Sequence, residues 1–326
     1  MNVVSGLRRT GKTSLVLTTI SESDTPYLFI DLRESFQSYR DLYQLLSRSS
    51  SDFVSRISRR EKLRELFLKG LQRLRGVSVA GLAISFSWGK DRFLLTEFFG
   101  ALDDLGERIG EKIVIVFDEF QRSRGSIGLM LHNAIAYSYD YYKNLSFILT
   151  GSEMGVLYSI LRDPKNPLYG RAFVEIRTRK LGRDESIDFL VRGFKEAGQE
   201  ISFEEIDRVV SELDGIIGWL TYYGYLKIGG IEDFEEIKKE AIELAKTELE
   251  NFLKQRMSRR YRLVLRLLTE GVKEWSLLKR SLEKAEGREL SDRVLYEILQ
   301  QLKRHSIIDE GNNLTDPILR EASRNI

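Results

Sequence analysis

Gly6-Leu7-Arg8-Arg9-Thr10-Gly11-Lys12-Thr13 decides how this 326-residue chain folds. The octet has the spacing G-x-x-x-x-G-K-[ST], with a β-branched run (residues 2 to 5) before it and a helical stretch (Ser14 to Ile20) after it. Glycines at 6 and 11 let the backbone fold back so that its N–H groups point inward, and a side chain at Gly11 would obstruct that turn. The following helix adds the partial positive charge of its N-terminus. Such a loop is built to hold phosphate. Lys12 would bridge the β- and γ-phosphates of a nucleotide, and the Thr13 hydroxyl would hold Mg²⁺. The candidate nucleotide-binding residues here are Gly6, Arg9, Thr10, Gly11, Lys12, Thr13 and Ser14, with Lys12 also counted as catalytic.

Working outward, residues 26 to 32, 80 to 87, 113 to 117, 145 to 150 and 172 to 176 are further short apolar runs that read as strands. Between them lie helical patterns such as Leu63, Leu66, Phe67, Leu71 and Leu74. Alternation of this kind predicts an α/β fold, a parallel sheet with helices on its faces. Ile113 to Phe117 reads as a central strand buried on both faces, and it ends in Asp118-Glu119 at the edge where ligands bind. Asp118 would ligate Mg²⁺ through water or stand behind it, and Glu119 could accept a proton from the attacking water. The intervening strands mean that the loop strand and the acidic strand need not be neighbours, which points to the branch of loop NTPases with an additional strand.

Three further groups are candidates, two of them at the same edge and Arg171 where the core gives way to the lid. Thr150 or Ser152 could bond the γ-phosphate or the attacking water, or simply cap the next helix. Arg171, in Pro167-Leu168-Tyr169-Gly170-Arg171, is expected to neutralise transition-state charge in cis or in a neighbouring subunit; the alternative is a surface salt bridge. Asp31 and Arg33 lie at the end of the second strand, with no role assigned.

After about residue 180 the strand signals stop. Ile237, Ala241, Leu244, Ala245, Leu249, Phe252 and Leu253 keep a helical period, and a helical lid is expected. Three short helices follow (261 to 269, 275 to 285, 291 to 304), then a turn at Gly311-Asn312-Asn313, in the order of a winged helix-turn-helix. Domains are therefore expected at 1–180, 181–255 and 256–326. Net charge is +2, but residues 1 to 199 carry +6, 200 to 255 carry −8 and 256 to 326 carry +4. Any nucleic-acid contact is thus expected on the first or last part. The chain has no cysteine, and its histidines are His132 and His305, which excludes disulfides, thiolate catalysis and the usual zinc sites. It also lacks a long apolar run and a basic, apolar opening, so a membrane span is excluded and a cytoplasmic location is expected.

Taken together, the loop with Ser14-Leu15, Asp118-Glu119-Phe120-Gln121, Thr150-Gly151-Ser152, Pro167-Leu168-Tyr169-Gly170-Arg171 and Leu314-Thr315-Asp316-Pro317 resemble the ATPase family found predominantly in archaea. That family lies within the STAND branch of P-loop NTPases and is related to AAA+ proteins. The resemblance implies ATP or ADP with Mg²⁺, a helical lid, a C-terminal winged helix, and Arg171 as the nucleotide-sensing arginine. Two features depart from the family. No segment to hold adenine precedes the first strand, so either the start is misassigned or adenine binding is impaired. The lid motif, usually Gly-x-Pro, corresponds to Asp214-Gly215-Ile216-Ile217-Gly218-Trp219, without proline.

Two functions remain open at this point. One is a slow ATPase acting as a nucleotide-driven switch. The other is a regulator, similar to an origin-recognition initiator, in which ATP tunes affinity for duplex DNA. The winged helix could contact DNA or a protein, and oligomerisation is possible in either case. Arg256, Arg259, Arg260, Arg262 and Arg266 would contact DNA phosphates or else the acidic lid.

Overall fold

The computed structural model describes residues 1–34, 36–254, 256, 259–324 and 326. Its chain forms two compact units, one of residues 1–6 and 12–178, the other of 7–11 and 179–326.

In the first unit the order is β1 (Asn2–Ser5), α1 (Lys12–Glu22), β2 (Tyr27–Asp31), α2 (Tyr39–Arg56), α3 (Glu61–Gln72), β3 (Val77–Ala80), β4 (Ala83–Phe86), α4 (Leu95–Ile109), β5 (Ile113–Asp118), α5 (Gly125–Tyr141), β6 (Leu145–Gly151), α6 (Met154–Leu161) and β7 (Val174–Arg177). Five strands make one parallel sheet in the order β2-β5-β6-β1-β7. The loop strand β1 and the acidic strand β5 are indeed not neighbours, and the strand between them is β6. Alternation along β5 sends Ile113, Ile115 and Phe117 into the larger core and Val116 to the opposite face, where it meets Val16 and Ile20 of α1. Helices thus cover both faces, and all five strands end at one edge.

One expected strand is corrected. The run at 80 to 87 does not join the main sheet: Val77–Ala80 and Ala83–Phe86 pair antiparallel as a separate hairpin across Gly81, which has φ +64°. A two-residue turn satisfies the pairing locally, and α2 takes the remaining donors. Ser51 Oγ accepts from the Ile84 N–H and Ser47 Oγ from that of Phe86, both at 2.9 Å.

The second unit is helical: α7 (Arg183–Glu196), α8 (Phe203–Leu213), α9 (Ile217–Ile228), α10 (Phe234–Lys254), α11 (Arg259–Thr269), α12 (Trp275–Glu286), α13 (Asp292–Arg304) and α14 (Pro317–Arg324). Its two apolar clusters share α10, which gives Ile237, Ala241 and Ala245 to one and Leu249 and Leu253 to the other. Helices α11–α13 and an antiparallel bridge between Ile308 and Leu314 form the winged helix. The expected boundary at 255 falls on a residue outside the described ones. Helix α14 is absent from the sequence reading, and its Ile318 and Ala322 are buried with α7–α10 rather than with the winged helix. No described helix is long and apolar enough to cross a membrane.

Candidate functional site

Backbone geometry at the loop is what the glycine spacing requires. Gly6 has φ +154° and Gly11 φ +79°, values that a side chain makes costly, and Arg9 between them is also left-handed at φ +62°. Lys12 opens α1 and is buried, while Ser14 is exposed. Within the loop, Thr10 Oγ1 donates to Leu7 O at 2.8 Å.

Next along α1, Thr13 Oγ1 lies 3.1 and 3.0 Å from the two carboxylate oxygens of Asp118 and donates to that group. The Thr150 hydroxyl donates to the same carboxylate and accepts the Glu119 N–H at 3.0 Å. Four sequence-selected residues from α1, β5 and β6 are thereby brought together. Burial pushes the Asp118 carboxyl up, and the charge of Glu119 adds to this, while the Thr150 and Thr13 hydrogen bonds oppose it. Glu119 itself turns the chain with φ +55°. Ser152 Oγ donates to its carboxylate at 2.7 Å, and the Gln121 amide donates to the same oxygen. Thr150 and Ser152 are therefore holders of the two acids and do not cap α6, whose N-cap, Glu153, makes no side-chain cap bond.

Several supporting groups were either left without a role in the sequence, as Asp31 and Arg33 were, or not singled out, as with Glu175. Arg33 grips Asp31 at 2.6 Å and stands 3.9 Å from Asp118, placing a cation beside the acids. Burial alone would raise the Asp31 carboxyl, but the Arg33 hydrogen bonds and charge bring it below its ordinary value. Glu175 accepts from Ser5 Oγ at 2.7 Å and from Tyr158, bracing the strand end where the loop begins. Desolvation works against its ionisation, yet bonds from Arg177, Tyr158 and Ser5 hold it at about 2. Its one visible signal was an isolated acid inside the apolar run at 172 to 176.

Behind the Glu119 turn, Asn166 Nδ2 donates to His132 Nδ1 at 3.0 Å, His132 Nε2 contacts Ser123 Oγ at 2.8 Å, and Ser123 donates to Phe120 O at 2.6 Å. This order puts the proton of a neutral imidazole on Nε2. Burial pushes His132 down to about 4 from its ordinary 6.5. The unfolded chain therefore takes up this proton first, so the contribution to stability is complete above pH 6.5 and is lost as pH falls toward 4. Urea unfolding at pH 7 and pH 4.5 should show a loss on the order of 2 to 3 kcal/mol that is missing in His132→Gln. Equal losses in both proteins would remove His132 as the cause.

Within its own chain Arg171 is not brought to the acids. It precedes β7, whose Val174 pairs with Asn2 at the start of β1, so it lies at the amino ends of the strands, opposite the acids. There its guanidinium pairs with Asp140, with Nε 3.2 Å from one oxygen, and also reaches Pro167 O. The surface salt bridge is the arrangement found.

In the second unit, Arg9 does not spend its side chain on the loop. Its guanidinium takes Glu248 at 3.2 and 2.7 Å and stacks 3.9 Å over the Trp219 ring. The Gly218 N–H donates to Arg9 O at 2.8 Å, and a Cβ at Gly218 would come within 2.5 Å of Arg9 Cβ. Trp219 Nε1 in turn donates to buried Asp316 at 2.8 Å, whose other oxygen accepts the N–H of Ile318 at the start of α14. Thus the glycine and tryptophan of the proline-less lid motif both have partners. In the basic cluster of the winged helix, Arg260 binds Glu286, Arg256 meets His305 at 2.7 Å and Phe252 O at 2.9 Å, and Arg266 reaches Ile326 O.

Among curated proteins none matches the sequence. Of solved structures, a Walker-type ATPase of Pyrococcus abyssi is 31% identical with a TM-score of 0.79, over 99% of this chain and 90% of that one. The ORC2 protein of Aeropyrum pernix is 15% identical with a TM-score of 0.46, over 95% of this chain and 80% of that one. Residues 255–315 match the C-terminal winged helix-turn-helix domain of MCM proteins. Residues 1–222, which hold the loop and the acid pair, match the ATPase domain predominantly from Archaea, and this P-loop ATPase belongs to that family.

Proposed function

We propose that the chain is a slow, Mg²⁺-dependent ATPase of STAND type whose nucleotide state is passed to its C-terminal helices. The observation that carries this reading is the hydroxyl-bracketed pair of acids, with Thr13 and Thr150 on Asp118 and Ser152 and Gln121 on Glu119. The donor set fits its cofactors. A left-handed loop ahead of a helix N-terminus offers backbone donors for phosphate, and a hydroxyl beside a buried carboxylate suits a hard cation. Mg²⁺ held by Thr13 and Asp118 would supply positive charge to the phosphate oxygens. Lys12 would neutralise the β- and γ-phosphates. Glu119, its carboxylate oriented by Ser152 and Gln121, would take the proton from water.

Coupling in this reading runs through Arg9 instead of Arg171. Arg9, Trp219 and Asp316 form a continuous path from mid-loop to the start of α14. A phosphate that reshapes the loop would strain the Arg9 contacts and so favour one arrangement of the helices. The division into 1–180, 181–255 and 256–326 is kept as part of the proposal, with α14 returning to the middle part. For the winged helix a protein partner is favoured over duplex DNA. Arg293 and Lys303 on α13 are paired with Glu297 and Glu310, and Tyr296 between them is exposed.

Limited trypsin cleavage around the exposed Arg179 tests the coupling. ATP and ADP should give different cleavage rates, and Glu248→Ala, which frees Arg9 at a partly exposed pair, should bring their ratio toward one while ATP still binds. A wild-type ratio in Glu248→Ala would refute the Arg9 path.

A further inference from the structure

Positive charge is concentrated in a part of the first unit that the ATPase reading does not use. Residues 56–92, from the end of α2 through α3 and the β3–β4 hairpin, hold ten basic and three acidic side chains, a net +7. Residues 1 to 199 together carry only +6, so this segment accounts for the whole excess. The stretches that flank the hairpin meet at its base. The Ser87 N–H donates to Gly76 O at 2.8 Å, and a Cβ on Gly76 would lie 2.5 Å from Asp91 O. The backbone that follows Arg73 and Arg75 is thereby brought against the backbone that carries Lys90 and Arg92. Arg92 lies 4.3 Å over the ring of Tyr39, and Arg40 lies 5.4 Å over the ring of Trp88.

Arg73, Arg75 and Lys90 are exposed, and among the described residues none of the three has an ion-pair partner. This contrasts with the rest of the surface, where cations are commonly answered by acids, as in Arg179 with Glu185 or Arg48 with Glu34. Like charges gathered well in excess of counter-charges repel one another, and a polyanion would relieve that repulsion. Trp88 is 45% exposed, with a guanidinium on one side of its ring. An exposed indole among phosphate-binding cations is the combination that takes unpaired bases, because every base offers a π-face and stacking needs no particular sequence. The hairpin adds an outward face of Ser78, Ala80, Ala83 and Ser85, which carries no acid.

We propose that this face binds single-stranded nucleic acid, with Arg73, Arg75, Lys90 and Arg92 on phosphates and a base stacked on Trp88. This inference stands apart from the nucleotide site. An acidic polypeptide would use the cations but leave the indole idle, and a duplex would hide its base faces.

The test is fluorescence anisotropy of labelled oligo-dT and oligo-U with the full chain. Four phosphate contacts on a single strand should weaken binding about 50-fold between 50 and 200 mM salt. Arg73→Glu/Arg75→Glu/Lys90→Glu should bind at least about 100-fold more weakly at the lower salt, with a salt slope shallower by about two. Trp88→Ala should lose about 10-fold, largely regained in Trp88→Phe. Thermal melting and ATP turnover report whether the variants fold, and Arg73→Ala/Lys90→Ala serves as a milder variant. Wild-type affinity in the charge variants, no binding by the wild type, or equal competition by polyglutamate would overturn the proposal. So would equal binding of duplex with no effect of Trp88→Ala, or loss of binding in Arg259→Glu/Arg262→Glu alone. Preference for oligo-dT or oligo-U decides between DNA and RNA as the source of the strand.

Discussion

Glu119→Gln is expected to bind ATP as the wild type does and to hydrolyse it roughly 10²- to 10⁴-fold more slowly, a barrier increase of about 3 to 5 kcal/mol. The amide keeps the shape of the carboxylate and can still meet Ser152 Oγ, which lies 2.7 Å from Glu119 Oε2. What it loses is a site to receive a proton. The Glu119 N–H bond to Thr150 belongs to the backbone and survives the change, so the Thr13, Asp118 and Thr150 contacts should stay in place. Single-turnover hydrolysis alongside binding of a fluorescent ATP analogue separates the two effects. Unchanged turnover would remove Glu119 from the chemistry, and lost binding would make it part of the cradle instead. Ser152→Ala offers a milder companion, because it removes one of the two bonds that orient the carboxylate while leaving the base itself.

Lys12→Ala should weaken ATP binding at least about 100-fold, since charge-assisted bonds to two phosphates are lost together. Lys12 is buried at the first turn of α1, where the helix end favours an anion. Arginine at this position keeps the charge but not the compact ammonium, so Lys12→Arg should recover little. A melting curve shows whether the truncation merely unfolds the chain. If the folded Lys12→Ala protein binds ATP as tightly as the wild type, the nucleotide site lies elsewhere and the reading of the loop fails.

How much of this was legible in the sequence varied with the distance over which each feature is determined. The phosphate loop is local: two glycines, a lysine and a hydroxyl within eight residues, with strand before and helix after, dictate their own backbone. Asp118-Glu119 was nearly as plain, because an uninterrupted apolar run implies a strand buried on both faces and its polar end must emerge at the sheet edge. The partners of these acids were half legible. Thr150 and Ser152 were singled out as hydroxyls at the right edge, yet their role as holders of the acids depends on β6 lying beside β5, which no local pattern states. The winged helix was visible from helix periods and a turn, within about two residues at each helix end.

What the sequence by itself determined, then, is the phosphate-binding chemistry, the alternation that makes an α/β sheet, and the helical character of everything after it. These follow from backbone constraints and side-chain periods that act within a few residues. Tertiary structure alone decided which side chains meet. Arg171 looked like a sensor, but a residue that precedes a parallel strand lies at the strand's amino end, and there Asp140 claims it. The run at 80 to 87 had strand character but no mark of its partner, and a turn at Gly81 gave it one locally. Arg9 was read as a ligand for nucleotide, whereas Trp219 and Glu248, more than two hundred residues away in sequence, hold its guanidinium. Charge and aromatic contacts at such separations are fixed by chain path, and the chain path is set by the packing of the whole core.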